Sequence, residues 1–193
     1  MTNIQLYYLT LLVPLAPLAG ALIAGLFGKF IGRSASHWVT IIGVLISFVA
    51  SLLIFREVLA GYHFNGAIYT WLTSGDTRFE IGFLIDKLTV TMMLVVTFVS
   101  LMVHIYTIGY MRDDPGYQRF FSYISLFTFS MLMLVMANNF VQLFFGWEAV
   151  GLVSYLLIGF WYTRPTAIYA NLKAFLVNRV GYFATITTGS ATR

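Results

Sequence analysis

The sequence predicts an all-α, polytopic integral membrane protein. Three observations carry that prediction. Of 193 residues 60% are hydrophobic and only 9% charged, whereas a soluble domain carries about a quarter, so polar groups are too few to cover a water-facing surface. The apolar residues fall in continuous runs near the ~20-residue length that crosses a bilayer. Lys and Arg gather at the ends of those runs, as they do in inner-membrane proteins.

Five complete transmembrane helices are expected near Leu6–Phe27, Trp38–Phe55, Leu84–Tyr106, Phe120–Ala137 and Phe140–Trp161. A partial sixth begins near Tyr169, and residues 1–193 read as a single membrane domain. Pro14 and Pro17 fall inside the first span, which a bilayer tolerates where neighbouring helices cover the freed carbonyls. Gly20, Ala24 and Gly28, and likewise Gly43, Ser47 and Ser51, form small-residue stripes that let helices approach closely. The sizeable loop Arg56–Phe83 carries three glycines and the alternating run IYTWL, and reads as a short hairpin or interfacial segment. Asn138-Asn139 is a tight turn.

The first, third and fifth connections carry Lys29, Arg33, Arg112, Arg119, Arg164 and Lys173, against Arg56, Arg78 and Lys87 on the other side. This asymmetry places the first set in the cytoplasm and the N-terminus on the outer face. The first positive charge is Lys29 and the first apolar run is too long for an h-region, so no cleaved signal peptide is expected. The absence of Cys excludes disulfides, Fe–S ligation and Cys-based zinc sites. The scattered His37, His63 and His104 make no metal site. The net charge of +4 contains no basic cluster, so nucleic acid is not an expected partner. No P-loop, GxGxxG loop or nucleophile triad is present. The many methionines, Met92, Met93, Met131, Met133 and Met136 among them, read as packing rather than a cofactor box.

The stretch VQLFFGWEAVGLVSYLLIGFW, Val141 to Trp161, contains one charge, Glu148. A carboxylate there is ~13 Å along its helix, near the midplane of a ~30 Å core. An acidic group at that depth costs roughly 3 kcal/mol on insertion scales, so a partner is required. Two readings stand: a static interhelical hydrogen bond, or a carboxylate that takes and releases a proton as its partner moves. On the sixth span, NLKAFLVNRVG, Arg179 is the candidate partner. It cannot relay protons itself. Lys173 either joins the pair or snorkels to the interface, and Asn178 is expected on a different face. His104, two residues before the expected end of the third span, is either a satisfied interfacial residue or a branch of a proton path. Asp86 and Lys87 read as loop anchors, and Asp113-Asp114 as a solvated turn.

The runs IDKLTVTMM, HIYTIGYMRDDPGYQRFFSYISLF, LFFGWEAVGLVSYLLIGFWY and LKAFLVNRVG resemble the antiporter-like L subunit, or chain 5, of the proton-translocating NADH–quinone oxidoreductase of bacteria, respiratory complex I. The likeness spans about Leu84 to Gly181, and the large subunit of Mrp-type cation/proton antiporters shares the motif set. The resemblance implies an antiporter-like helix bundle in the bacterial inner membrane. Its partners would be other membrane subunits of complex I, lipid and protons, and it would hold no cofactor or metal of its own. Glu148 then matches the family's buried glutamate, and Lys173, Arg179 and His104 match recurrent positions. Such a chain is part of the enzyme only as a non-redox subunit. Beyond Gly181 the family continues differently, and residues 182–193 form an atypical, Thr-rich tail. The expectation is the N-terminal part of a proton-translocating subunit of that enzyme, with Glu148 acting in a proton relay in the intact subunit; the chain is altered or truncated after Gly181 and, taken alone, moves nothing. The alternatives are an Mrp-type antiporter subunit or a truncated product with no transport activity.

Overall fold

The structure is a computed structural model that describes the backbone of residues 3–74 and 77–190, and the side chains of 4–73 and 80–179. Six helices and one hairpin follow in order: α1 (Asn3–Leu26), α2 (Gly28–Leu59), β1 (Phe64–Ser74), β2 (Thr77–Ile85), α3 (Lys87–Tyr110), α4 (Tyr117–Val135), α5 (Phe140–Ile158) and α6 (Pro165–Ser190). Among the described residues, α1 to α5 are long and apolar enough to cross a membrane. Four of the five extend beyond the expected spans. The charges Arg56 and Glu57 do not end α2, which continues to Leu59. Inside α2, Gly32 adopts φ 79°, a conformation open to glycine because it lacks a Cβ, and the helical axis breaks there.

The prolines of α1 show how the bundle is knitted. Pro17 has no N–H, so the carbonyl of Val13 loses its intrahelical donor. The Ser47 hydroxyl of α2 donates to that carbonyl at 2.6 Å. On the other flank, Ser125 and Ser122 of α4 donate to the carbonyls of Pro17 and Ala21 at 2.8 and 2.7 Å. The small-residue stripes make this approach possible. A Cβ on Gly43 would lie 2.7 Å from the Ala16 carbonyl oxygen, and one on Gly20 would lie 3.2 Å from the Thr40 Cα.

Two apolar clusters stand at opposite ends. The first gathers Val13, Ile54, Ile85, Met93, Leu132 and Met136 from α1, α2, β2, α3 and α4. The second gathers Met111, Tyr117, Phe121, Ile124 and Phe160. Met93 and Met136 are thus core residues, as the packing reading required.

The loop after α2 is a two-stranded antiparallel hairpin, with Phe64 opposite Ile85 and two register irregularities, between Ala67 and Tyr69 and between Thr70 and Leu72. It qualifies the all-helical expectation and agrees with the hairpin reading. The hairpin is tied to the α4–α5 turn: the Leu84 N–H donates to Met136 O at 3.0 Å, and Phe83 bridges Ala137. Gly82 is needed there because Asn138 occupies the space of a side chain. Asp86 caps α3, its Oδ1 accepting the Thr89 N–H at 2.7 Å. That hydrogen bond holds its carboxyl below the ordinary value.

At the far end, Arg33 donates to the backbone oxygens of Arg112 (2.8 Å) and Asp114 (3.1 Å), which joins the first and third connections. The solvated-turn reading of Asp113-Asp114 therefore needs correction at Asp114. Its carboxylate accepts the Trp161 indole N–H at 2.9 Å and the Gly116 N–H at 2.7 Å. Chiefly because of the Trp161 bond, its carboxyl sits below the ordinary range, with Gly116, Arg119 and Arg33 adding to the effect and burial opposing it.

Candidate functional site

α5 has almost no polar face, so its placement is decided at its ends and at its glycines. At the start, Asn139 caps it by accepting the Gln142 N–H at 2.8 Å. The Asn139 amide also donates to Glu80 O at 2.9 Å, and the Gln142 Oε1 accepts the Gly82 N–H at 2.9 Å. Gly146 then presses α5 onto α4, where a Cβ would lie 2.8 Å from the Leu134 Cα. At its other end Phe160 meets Phe120 edge to face and lies under the Arg119 guanidinium.

Between these anchors sits Glu148, eight residues into α5, or ~12 Å along it. Its carboxylate is paired with the Arg179 guanidinium of α6. The Glu148 side chain is 21% exposed and that of Arg179 41% exposed, so the pair is half-sheltered rather than sealed. The Arg179 guanidinium also lies over the Phe175 ring, 5.0 Å from its centroid, which fixes its plane through cation–π attraction. Asn178 does not point away as expected: its Nδ2 lies 3.8 Å from where a Cβ on Gly151 would be, so it lines the same crevice. Gly151 lines that crevice with them. Lys173 is exposed on α6 and lies about 240° around that helix from Arg179. It does not line the Glu148 crevice.

His104 does not line Glu148's crevice, and its interfacial reading is overturned. α3 runs on to Tyr110, with Tyr106 and Tyr110 stacked along the added turn. This places His104 ~9 Å inside the helix. Its side chain is fully buried (0% exposed). Nδ1 meets the Ser100 carbonyl at 2.8 Å, and Nε2 has no partner. Gln142, Asn139, Ser47, Ser122 and Ser125 were missed as organising residues. The signal for the serines was present in the hydroxyls spaced three and four apart on otherwise apolar helices.

Two stretches match family models. Residues 71–121 match the N-terminus of NADH-ubiquinone oxidoreductase (complex I) chain 5. Residues 137–187 match the transmembrane region of NADH:quinone oxidoreductase and Mrp antiporters. Over 186 residues, 95% of this chain, the sequence is 64% identical to NADH-quinone oxidoreductase subunit L of Neisseria meningitidis serogroup A. Along nearly its whole length the chain is thus similar to complex I subunit L and chain 5 proteins. Among eukaryotic relatives, NADH-ubiquinone oxidoreductase chain 5 of Arabidopsis thaliana is 50% identical over 177 residues, 90% of this chain. The chain spans about a quarter of the length of these subunit L relatives, 27% and 26% respectively. The second family match takes in residues 182–187 of the Thr-rich tail. The fold of this chain is similar to that of a chain of the membrane-bound sulfane sulfur reductase, an archaeal respiratory membrane complex. That likeness has a TM-score of 0.77 at 17% identity, over 90% of this chain and 34% of that one.

Proposed function

We propose that this chain forms the N-terminal part of a proton-translocating membrane subunit of NADH–quinone oxidoreductase, with Glu148 as a proton-exchanging carboxylate. The observation that carries the reading is the Glu148–Arg179 ion pair near the middle of α5. Because Arg179 stays protonated, the only member of the pair that can gain or lose a proton is Glu148. A proton arriving on Glu148 would release Arg179, and a proton leaving would draw it back. The pair therefore couples protonation to the spacing of α5 and α6. Lys173, which does not face the crevice, is open to carboxylates of further segments. NADH and quinone chemistry belong to other subunits, and the chain would sit in the bacterial inner membrane with its N-terminus outward.

The test is Glu148→Gln in the complete subunit, assembled in the enzyme and assayed for NADH-driven proton uptake by inverted vesicles. Pumping is expected to fall while the assembled complex is retained. Unchanged pumping would remove Glu148 from the path. The second family model is shared with Mrp antiporters. A sodium-dependent pH gradient formed without NADH would select that alternative.

A further inference from the structure

Outside the Glu148 crevice, the described residues hold one buried imidazole whose hydrogen bonds can be assigned from donor to acceptor. Thr128 Oγ1 donates to the Ile124 carbonyl at 2.9 Å. Its proton is thereby spent, so in the 2.5 Å contact with Ser100 Oγ it is Thr128 that accepts and Ser100 that donates. The Ser100 carbonyl, 2.8 Å from His104 Nδ1, can only accept. His104 must therefore carry its proton on Nδ1, with Ser100 Oγ at 3.3 Å as a weaker second acceptor. In the neutral ring this leaves Nε2 as a bare lone pair, fully buried and without a partner. A buried acceptor with no donor is costly, and such groups are ordinarily satisfied by protein or by an internal water.

The Phe121 ring of α4 lies 6.1 Å from His104 and 6.0 Å from His37 of α2, centroid to centroid. His37 Nδ1 is in turn paired with the Tyr117 hydroxyl at 3.0 Å. The Arg33 guanidinium lies 5.7 Å from the Tyr117 ring centroid, at the end of the bundle where Arg33 ties the loops together. Phe121 is itself 0% exposed, so the ring that neighbours both imidazoles is apolar and closed to solvent.

We infer that His104 Nε2 is an internal water-binding site and that Phe121 is the barrier separating it from the His37–Tyr117 pair. The site is independent of the reading given to Glu148. It makes His104 a second group in the bundle where a proton can be received through water, reached from the end that bears Arg33.

The test is X-ray hydroxyl-radical footprinting in ¹⁸O-water of the full-length protein in its native membrane, read by mass spectrometry. His104 is expected to acquire ¹⁸O despite its burial, because the radical forms on the water held beside it. Phe121→Ala should raise that labelling several-fold and Phe121→Leu to a lesser degree. Labelling of Met93, buried in the other apolar cluster, should stay unchanged, which reports that the bundle is intact. Absence of ¹⁸O from His104 in the unaltered protein would overturn the water site. Equal labelling of His104 in the unaltered protein and in both variants, with Met93 still protected, would overturn the barrier.

Discussion

The hydroxyl at Ser47 is the most sharply testable element of the fold, because the structure states why it is needed. Ser47→Ala removes a 2.6 Å hydrogen bond to the Val13 carbonyl, an acceptor already deprived of its own helix donor by Pro17. Interhelical hydrogen bonds within membranes average ~0.6 kcal/mol and reach ~1.7 kcal/mol, since alternative partners are usually at hand. Here none is at hand, for Val13 is fully buried and an unsatisfied buried acceptor costs ~1–3 kcal/mol. The expected loss is therefore about 1.5–2 kcal/mol, at the upper end of the membrane range. Pro17→Ala restores an N–H that can donate to Val13. In that background, Ser47→Ala should cost only ~0.5 kcal/mol, leaving a coupling of about 1 kcal/mol or more in the double-mutant cycle. The four proteins would be compared by SDS-induced unfolding in bicelles, followed by helicity. If Ser47→Ala costs the same with and without Pro17, the repair of the proline break by α2 is wrong.

Three further outcomes are expected. Gly43→Ala should destabilise the bundle by ~1–3 kcal/mol, because its Cβ would meet the Ala16 backbone oxygen at 2.7 Å, a group that cannot swing away; the same unfolding assay measures it. Asp114 is held below its ordinary 3.8, so its contribution is fully present above that value and is lost as pH falls through the lowered one. Acidification below the ordinary aspartate range should shift the emission of Trp161, and Asp114→Asn should remove that acid transition. Cysteines placed at 148 and 179 should be joined by a short bifunctional thiol reagent, because a Glu–Arg pair spans more than the ~4.4–6.8 Å Cα separation of a direct disulfide, and failure to cross-link within an assembled complex would separate α5 from α6.

The membrane-spanning plan was legible because hydropathy measures what the bilayer itself selects. Helix ends were not: α2 keeps Arg56 and Glu57 within its last turn, and α3 runs on from the expected boundary at Tyr106 to Tyr110, since amphipathic side chains let a helix emerge without breaking. The Glu148–Arg179 pair was legible because an intramembrane carboxylate demands a partner and the neighbouring span offered a guanidinium at matching depth. Asn178 was misjudged because adjacent helical residues lie only about 100° apart, so a single crevice takes in both. His104 was misjudged because the helix end from which its depth was measured lies at Tyr110 and not at Tyr106. The ties of the β2 strand to Asn138, Asn139 and Gln142 join residues some sixty positions apart, a separation no local pattern reveals.

The anchoring of α5 has a mechanical consequence. Its N-terminal end is clamped to the hairpin through Asn139 and Gln142, and the segment after its C-terminal end is clamped through Trp161 and Phe160 to Asp114 and Arg119. A rod fixed at both ends cannot swing or slide when pulled sideways at its centre. It can only bow. Glu148 sits at that centre, flanked by Gly146 and Gly151, where the helix is slimmest. On the role proposed for Glu148, a change of charge there would be converted into curvature, and α6, held to α5 through Arg179, would ride on the bend.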